Sequence, residues 1–180
     1  PRRQKLCIND LKSLTNDSSE EELRKAFINC AAKEIHFSWK KYEDDKQKET
    51  PKYDAREELR KGKIPEDFKR QMFYTFGDYR DLRLGKDIGS HVDTKNISTN
   101  VQNILEKQNG QHRVPKLTAD DWWEKNAESI WQGMLCALSY DTTKKNMDYE
   151  AQKELNSNYN YNTIKDDLAD FATRPQFFRW

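Results

Sequence analysis

Hydrophobic and polar residues alternate at helical spacing along much of the chain, most clearly from Thr118 to Tyr140. Thr118 can act as an N-cap, and Asp121 three residues later can return a hydrogen bond to it. Between these ends, apolar residues recur every three or four positions on one stripe, formed by Trp123, Ala127, Ile130, Trp131, Met134, Ala137 and Leu138. This spacing predicts one long central helix, against which the other helices pack.

The same spacing predicts helices on both sides of the central one. Ser18 or Ser19 is expected to cap a helix running to about Glu43, and Gly62 is expected to close a short helix that ends at Arg60. Pro65 marks the first turn of a further helix. We predict the remaining helices over about 66–84, 97–109, 147–155 and 166–172, a lead-in over 1–17, loops over 85–94, 141–146 and 156–162, and a new helix from Pro175.

Composition favours an all-α domain, or a fragment of one, over a β fold or a disordered chain. Glycine and proline are scarce among the 180 residues, and runs of β-branched residues are absent. Charged residues make up 35% and hydrophobic residues 34%, but aromatic residues reach 12%. Because each aromatic side chain buries a large area, a few such anchors can form a core.

The net charge of +1 arises from acids and bases mixed along the chain, which gives no global field for nucleic acid or an anionic membrane. No apolar run approaches 20 residues, so we expect no membrane insertion by this segment. The start at Pro1, without an initiator methionine, suggests a piece of a longer protein.

One basic cluster could contact an anionic ligand such as a sulfated glycan or an acidic protein: Arg60, Lys61, Lys63, Lys69 and Arg70. Acidic residues interleave this cluster, so a solvated mixed-charge face is the favoured interpretation.

No pattern typical of catalysis, a cofactor or a metal site is found. His36, His91 and His112 are too far apart in sequence for a metal-binding motif, and paired carboxylates lie at helix ends or in charged runs. Three cysteines without a C-x-x-C pair leave either three thiols or one bridge and an unpaired cysteine. A helical hydrolase would need a pocket of titratable groups that the sequence does not reveal.

Five blocks of sequence resemble, in order, the homology blocks of a known family. They are 1–7 (PRRQKLC), 26–34 (AFINCAAKE), 68–81 (FKRQMFYTFGDYRD), 122–138 with WWE and IWQGMLCAL, and 174–180 (RPQFFRW). The chain is thereby similar to a Duffy-binding-like domain of the malaria-parasite erythrocyte membrane protein 1 family, and within it to the beta type. The resemblance covers nearly the whole chain.

This resemblance implies a disulfide-stapled helical bundle without enzymatic activity or cofactors. Residues 1–180 would be a monomeric fragment of one domain, mainly its middle subdomain, with the bundle over 18–173 and the next subdomain starting at 174–180. The protein would be displayed at the outer surface of infected red cells. The implied function is to attach these cells to a host receptor such as intercellular adhesion molecule 1, or to a glycosaminoglycan. Because the family's best-known receptor contacts would follow Trp180, we expect this chain alone to act mostly as a scaffold and to bind a receptor weakly or not at all. A generic intracellular helical scaffold with three free thiols is the alternative.

Two further expectations concern the central helix. We predict that Cys30 and Cys136 are bridged, because both lie mid-helix beside small residues that would let the backbones approach, and that Cys7 lacks a partner within the chain. We also expect Trp131 and Trp123 to be buried and Trp122 to lie off the main stripe, so that its truncation has a milder effect.

Overall fold

The computed structural model describes residues 6–84, 92–109 and 118–173, and it confirms the all-α prediction. The order of elements is α1 (Asn9–Lys12), α2 (Glu20–Glu49), α3 (Ala55–Arg60), α4 (Glu66–Leu84), α5 (Val92–Asn109), α6 (Ala119–Leu138), β1 (Tyr140–Asp141), β2 (Asn146–Met147), α7 (Tyr149–Asn158) and α8 (Tyr161–Thr173). The two short strands pair antiparallel, with Tyr140 opposite Met147, where the sequence predicted only a loop. The predicted helix from Pro175 lies outside the described residues, as do His91 and His112.

The two longest apolar helices begin where their capping residues predict. Ser19 caps α2: its hydroxyl accepts a hydrogen bond from the Glu22 backbone N–H at 3.2 Å, and the Glu22 carboxylate accepts one from the Ser19 backbone N–H. Thr118 and Asp121 form the equivalent reciprocal pair at the start of α6. These local hydrogen bonds fix the residue at which each helix begins.

Other helix boundaries differ from the sequence prediction. Helix α2 continues past Glu43 to Glu49, and the ion pair between Lys41 and Asp45, one turn apart, supports it in this charged stretch. Helix α8 starts at Tyr161 rather than about residue 166, because the Asn160 side chain accepts a hydrogen bond from the backbone N–H of Thr163. Helix α5 starts at Val92 instead of about residue 97, and α1 lies in the predicted lead-in.

Helices α2 and α6 form the most extensive pairing in the described structure. Lys125 donates a hydrogen bond to Glu20 at 3.0 Å, and Arg24 donates one to Ser129 at 2.9 Å. Both pairs are 105 residues apart in sequence, so the two helices run parallel with a constant offset along this face. An advance of one turn along α2 therefore matches an advance of one turn along α6. Side chains that are one turn apart on α2 contact side chains that are one turn apart on α6.

The same face continues toward the carboxyl ends of both helices. A Cβ atom placed on Gly133 would lie 2.8 Å from the Ile28 side chain, so the absence of a side chain at Gly133 allows close approach. Further along, the rings of His36 and Tyr140 lie 5.8 Å apart. The helices therefore remain in contact from their first turns to the start of the β hairpin.

Aromatic rings from three helices interlock around α6. Phe27 of α2 packs against Trp122 at a ring separation of 5.2 Å and against Trp123 at 6.4 Å. Phe76 of α4 packs against Trp123 at 5.0 Å and against Trp131 at 5.9 Å. Helix α6 therefore lies between α2 and α4, and its tryptophans fill the space on both sides.

The bridge predicted between Cys30 and Cys136 is not present, and both residues are free thiols. Cys30 is fully buried, whereas Cys136 is exposed and contacts Gln152 of α7. Ile28 is the α2 residue that faces Gly133, and Cys30 two positions later is rotated about 200° around the helix axis. The helices do approach closely beside Gly133, as expected, but Cys30 points away from the contact.

The expectation for Trp122 is also wrong, because this side chain has no solvent exposure and packs against Phe27 with the two rings tilted by 52°. We therefore predict that Trp122→Ala and Trp131→Ala each lower the free energy of unfolding by about 3–5 kcal/mol. Urea unfolding measures the change, with Tyr149→Ala as the control, since Tyr149 is 74% exposed and its loss should cost under about 0.5 kcal/mol. A near-normal midpoint for Trp122→Ala would contradict this burial.

Candidate binding surface

The predicted basic cluster is divided among several ion pairs. Arg60 donates a hydrogen bond from Nε to Asp148 of α7 at 2.8 Å, and its Nη1 atom lies 3.4 Å from Glu57. The guanidinium therefore links α3 to the start of α7, and the two linked residues lie 88 positions apart in the sequence. An anionic ligand would have to compete with two carboxylates for it.

The remaining members of the cluster differ in how they are paired. Lys61 lies 3.4 Å from Glu58, and Lys69 lies 2.7 Å from Glu66, each within one helical turn. Lys63 and Arg70 are exposed and form no ion pair within the part of the chain that the structure describes. These five residues thus lie between the carboxyl end of α3 and the first turns of α4, and their side chains do not meet at one site.

A larger polar feature lies beside α3, which we call the charged groove. It consists of two adjoining clefts of about 720 and 590 Å³ that share Arg60, Asp141 and Lys144. The first lies between the carboxyl half of α2, α3 and the hairpin, and the second between α3 and the start of α7. The groove is lined by residues of both charges: Lys40, Glu43, Asp44, Lys52, Asp54, Arg56, Glu57, Arg60, Lys61, Asp141, Lys144, Asp148 and Glu150.

A paired arginine and glutamate connect the two sides of the groove. Arg56 donates to Glu43 from Nε at 2.9 Å and from Nη2 at 3.2 Å, and it also donates to the backbone carbonyl of Tyr140 at 3.2 Å. Burial raises the pKa of Glu43, although the charge of Arg56 opposes this shift. This two-point contact fixes the hairpin against α2 and α3, so Arg56 acts as a structural link.

The hairpin turn presents a lysine at the rim of the groove. The Asp141 side chain is buried and accepts hydrogen bonds from the backbone N–H groups of Thr143 and Lys144 at 2.9 and 3.0 Å. Lys145 completes the turn with a φ of 54°. The Lys144 side chain is consequently exposed beside the groove, as are Lys40 and Lys52, and these are the cations open to a partner.

The sequence did not predict this groove. The turn-forming residues at 141–144 were recognised as a loop, but the contact between Arg56 and Tyr140 spans 84 residues and has no local signal. Arg60 was predicted as a ligand contact, while its hydrogen bond to Asp148 was not foreseen. Charge pairing across the fold could be found only from the structure.

Within the described ranges, no group of three or more histidine, cysteine, aspartate or glutamate side chains is arranged to hold a metal ion. None of the helices in those ranges combines the length and the apolar content needed to cross a membrane. His36 lies against the rings of Phe37 and Tyr140. The charged groove is therefore the best candidate for recognition on this surface.

The ion pair of Asp148 should appear in the pH dependence of stability. Partial burial raises the pKa of Asp148, but hydrogen bonds from Ala151 and Arg60 outweigh it and hold the pKa below its ordinary value of 3.8. The stabilisation is thus present above about pH 4 and is lost as the pH falls through the depressed pKa.

We predict that Asp148→Asn, which can still cap α7, lowers the free energy of unfolding at pH 7 by about 1 kcal/mol and weakens the loss of stability below pH 4. Urea unfolding from pH 2.5 to 7 checks this, with the exposed Asp166→Asn as the control. An unchanged pH profile in Asp148→Asn would contradict the assigned role.

Comparison with known proteins identifies the chain at the level of its family. The family model for the Duffy binding domain matches residues 1–179. No curated protein and no solved structure matches the sequence. Duffy binding domains are extracellular adhesion modules that bind receptors and are not enzymes. Because the match covers almost the whole length of a helical chain, this protein belongs to the Duffy binding domain family.

Proposed function

We propose that this chain is part of a parasite surface antigen that attaches infected red cells to host cells through a protein receptor. The observation that carries the proposal is the family match over residues 1–179, which gives an extracellular receptor-binding module. The five sequence blocks support the narrower assignment to the erythrocyte membrane protein 1 family and its beta type. Intercellular adhesion molecule 1 is accordingly the first receptor to test.

The charged groove is suited to a protein partner. Its walls carry both positive and negative side chains, and its lining is more polar than apolar. Small-molecule sites are typically enclosed and mostly apolar, whereas protein partners are selected by matching patterns of charge. We propose that the exposed lysines Lys52 and Lys144 contact acidic residues of the receptor.

A glycosaminoglycan is the second candidate ligand, favoured by Lys63 and Arg70, which form no ion pair with the residues that the structure describes. Both side chains are exposed, and the nearby residue Lys69, next to Arg70 in sequence, forms an ion pair with Glu66, whose side chain is exposed. A sulfated chain could displace such an exposed pair at small cost, since surface ion pairs contribute about 0–1 kcal/mol. Binding of this kind should weaken steeply as salt screens the charges.

Surface plasmon resonance with immobilised intercellular adhesion molecule 1, heparan sulfate and chondroitin sulfate tests the proposal. We expect the chain to bind the protein receptor with a dissociation constant above about 1 µM, because only a small number of contacts at the rim of the groove contribute to the affinity. Lys52→Ser/Lys144→Ser should weaken this binding about tenfold by slowing association. The control Lys25→Ser/Lys95→Ser removes the same charge from exposed positions outside the groove and should leave binding unchanged.

The same measurement separates the two ligand classes. Salt-sensitive binding to the glycans alone, lost in Lys63→Ser/Arg70→Ser, would favour the second candidate over a protein receptor. Submicromolar, salt-insensitive receptor binding would contradict the expectation that this chain contributes little affinity. If a panel of endothelial receptors and both glycans show no binding, the adhesion proposal fails for this chain.

A further inference from the structure

Two exposed aromatic side chains lie at the borders of the charged groove. Among the residues that the structure describes, Phe37 and Tyr149 are the large hydrophobic side chains that remain exposed, at 64% and 74%. Tyr149 lines the second cleft of the groove. Phe37 lies on α2 three residues before Lys40, which lines the first cleft. Both exposed rings therefore occur beside the surface that is the best candidate for recognition.

Half-buried side chains connect the two exposed rings. The ring of His36 packs against that of Phe37 at 5.4 Å and against that of Tyr140 at 5.8 Å. Tyr140 lies opposite Met147 in the hairpin, and residues that are paired directly across an antiparallel hairpin project from the same face. Met147 lines the second cleft together with Tyr149. These five residues form a series from α2 across the hairpin to α7, which we call the aromatic strip.

The exposed ends of the aromatic strip contribute little to folding. Most of the surface of Phe37 and of Tyr149 stays in contact with water in the folded chain, so folding removes little of their area from solvent. Aromatic side chains surrounded by polar residues are typical of the central contacts in protein interfaces. The strip, with charged residues on its borders, has this composition.

The charges next to the aromatic strip indicate the class of partner. Exposed carboxylates of Asp44, Asp54, Glu57 and Glu150 line the two clefts alongside the lysines. They would repel a sulfated glycan or an anionic membrane, each of which is attracted by a surface of positive charge. A protein surface can present both signs of charge together with apolar hollows that accept aromatic rings. A protein is therefore the partner that matches the strip and its borders.

We propose that the aromatic strip is the contact surface for the protein receptor, an inference that rests on the proposed function. Phe37 and Tyr149 insert into apolar hollows of the receptor, and a lysine near each ring faces an acidic residue there. Lys40 lies one turn after Phe37 on α2, and Lys144 lines the second cleft with Tyr149. Buried aromatic anchors slow dissociation, whereas exposed lysines mainly speed association.

Surface plasmon resonance of the whole chain tests this assignment, over immobilised intercellular adhesion molecule 1 and a panel of endothelial receptors. Phe37→Ser/Tyr149→Ser should raise the dissociation rate about tenfold and change the association rate less than about twofold. The increase should persist from about 50 to about 300 mM salt, because contacts between apolar surfaces are not screened. The control Phe37→Leu/Tyr149→Phe keeps apolar side chains of similar size and should bind within about threefold of the unaltered chain.

Urea unfolding separates a role in binding from a role in the fold. The midpoint of Phe37→Ser/Tyr149→Ser should equal that of the unaltered chain, because both side chains are exposed. A lowered midpoint would show that the rings stabilise the fold, and it would overturn the proposal.

The possible outcomes distinguish this inference from the proposed function. Receptor binding that Phe37→Ser/Tyr149→Ser retains at full strength would overturn the assignment of the strip and leave the receptor function standing. No binding of the unaltered chain to any protein receptor would overturn both. Analytical ultracentrifugation adds a third outcome: self-association of the chain that this variant abolishes would assign the strip to a second copy and would also overturn the proposal.

Discussion

The parallel packing of α2 against α6 is the constraint on which the rest of the structure depends. Capping residues fix where each helix begins, and the hydrogen bonds of Glu20 with Lys125 and of Arg24 with Ser129 fix the position of one helix along the other. Gly133 permits the close approach of the two helices. The large aromatic side chains of α6 lie beside this contact and pack against Phe27 and against α4. A chain that is so rich in charge can fold because these few large side chains are buried together.

The positions of the charged groove and of the segment before α2 follow from this packing. The carboxyl ends of α2 and α6 lie side by side, so the hairpin that follows α6 lies against the end of α2. Arg56 of α3 donates hydrogen bonds to both, to Glu43 of α2 and to the backbone carbonyl of Tyr140 in the hairpin. On the opposite side of α2, the face turned away from α6 remains available to the segment that carries Cys7. One helix pair thus positions the charged groove on one side and the segment before α2 on the other.

Local signals in the sequence predicted the helices but not the contacts between distant parts of the chain. The capping pairs and the apolar stripe of α6 identified its bounds, because these interactions join residues within a few positions. Trp122 was misassigned because α6 is buried on two sides, against α2 and against α4, and a single stripe describes only one of them. The charged groove and the complete burial of Cys30 depend on contacts across the fold, for which a single sequence holds no pattern.

The packing of Gly133 against Ile28 tests the central claim most directly, through a double-mutant cycle followed by urea unfolding. Gly133→Leu should lower the free energy of unfolding by about 2 kcal/mol, since its side chain would overlap the 2.8 Å contact with Ile28. In an Ile28→Ala background the same substitution should cost at least 1 kcal/mol less, because the overlap is relieved. An equal cost in both backgrounds would contradict the claim that close approach of α2 and α6 at this point determines the fold.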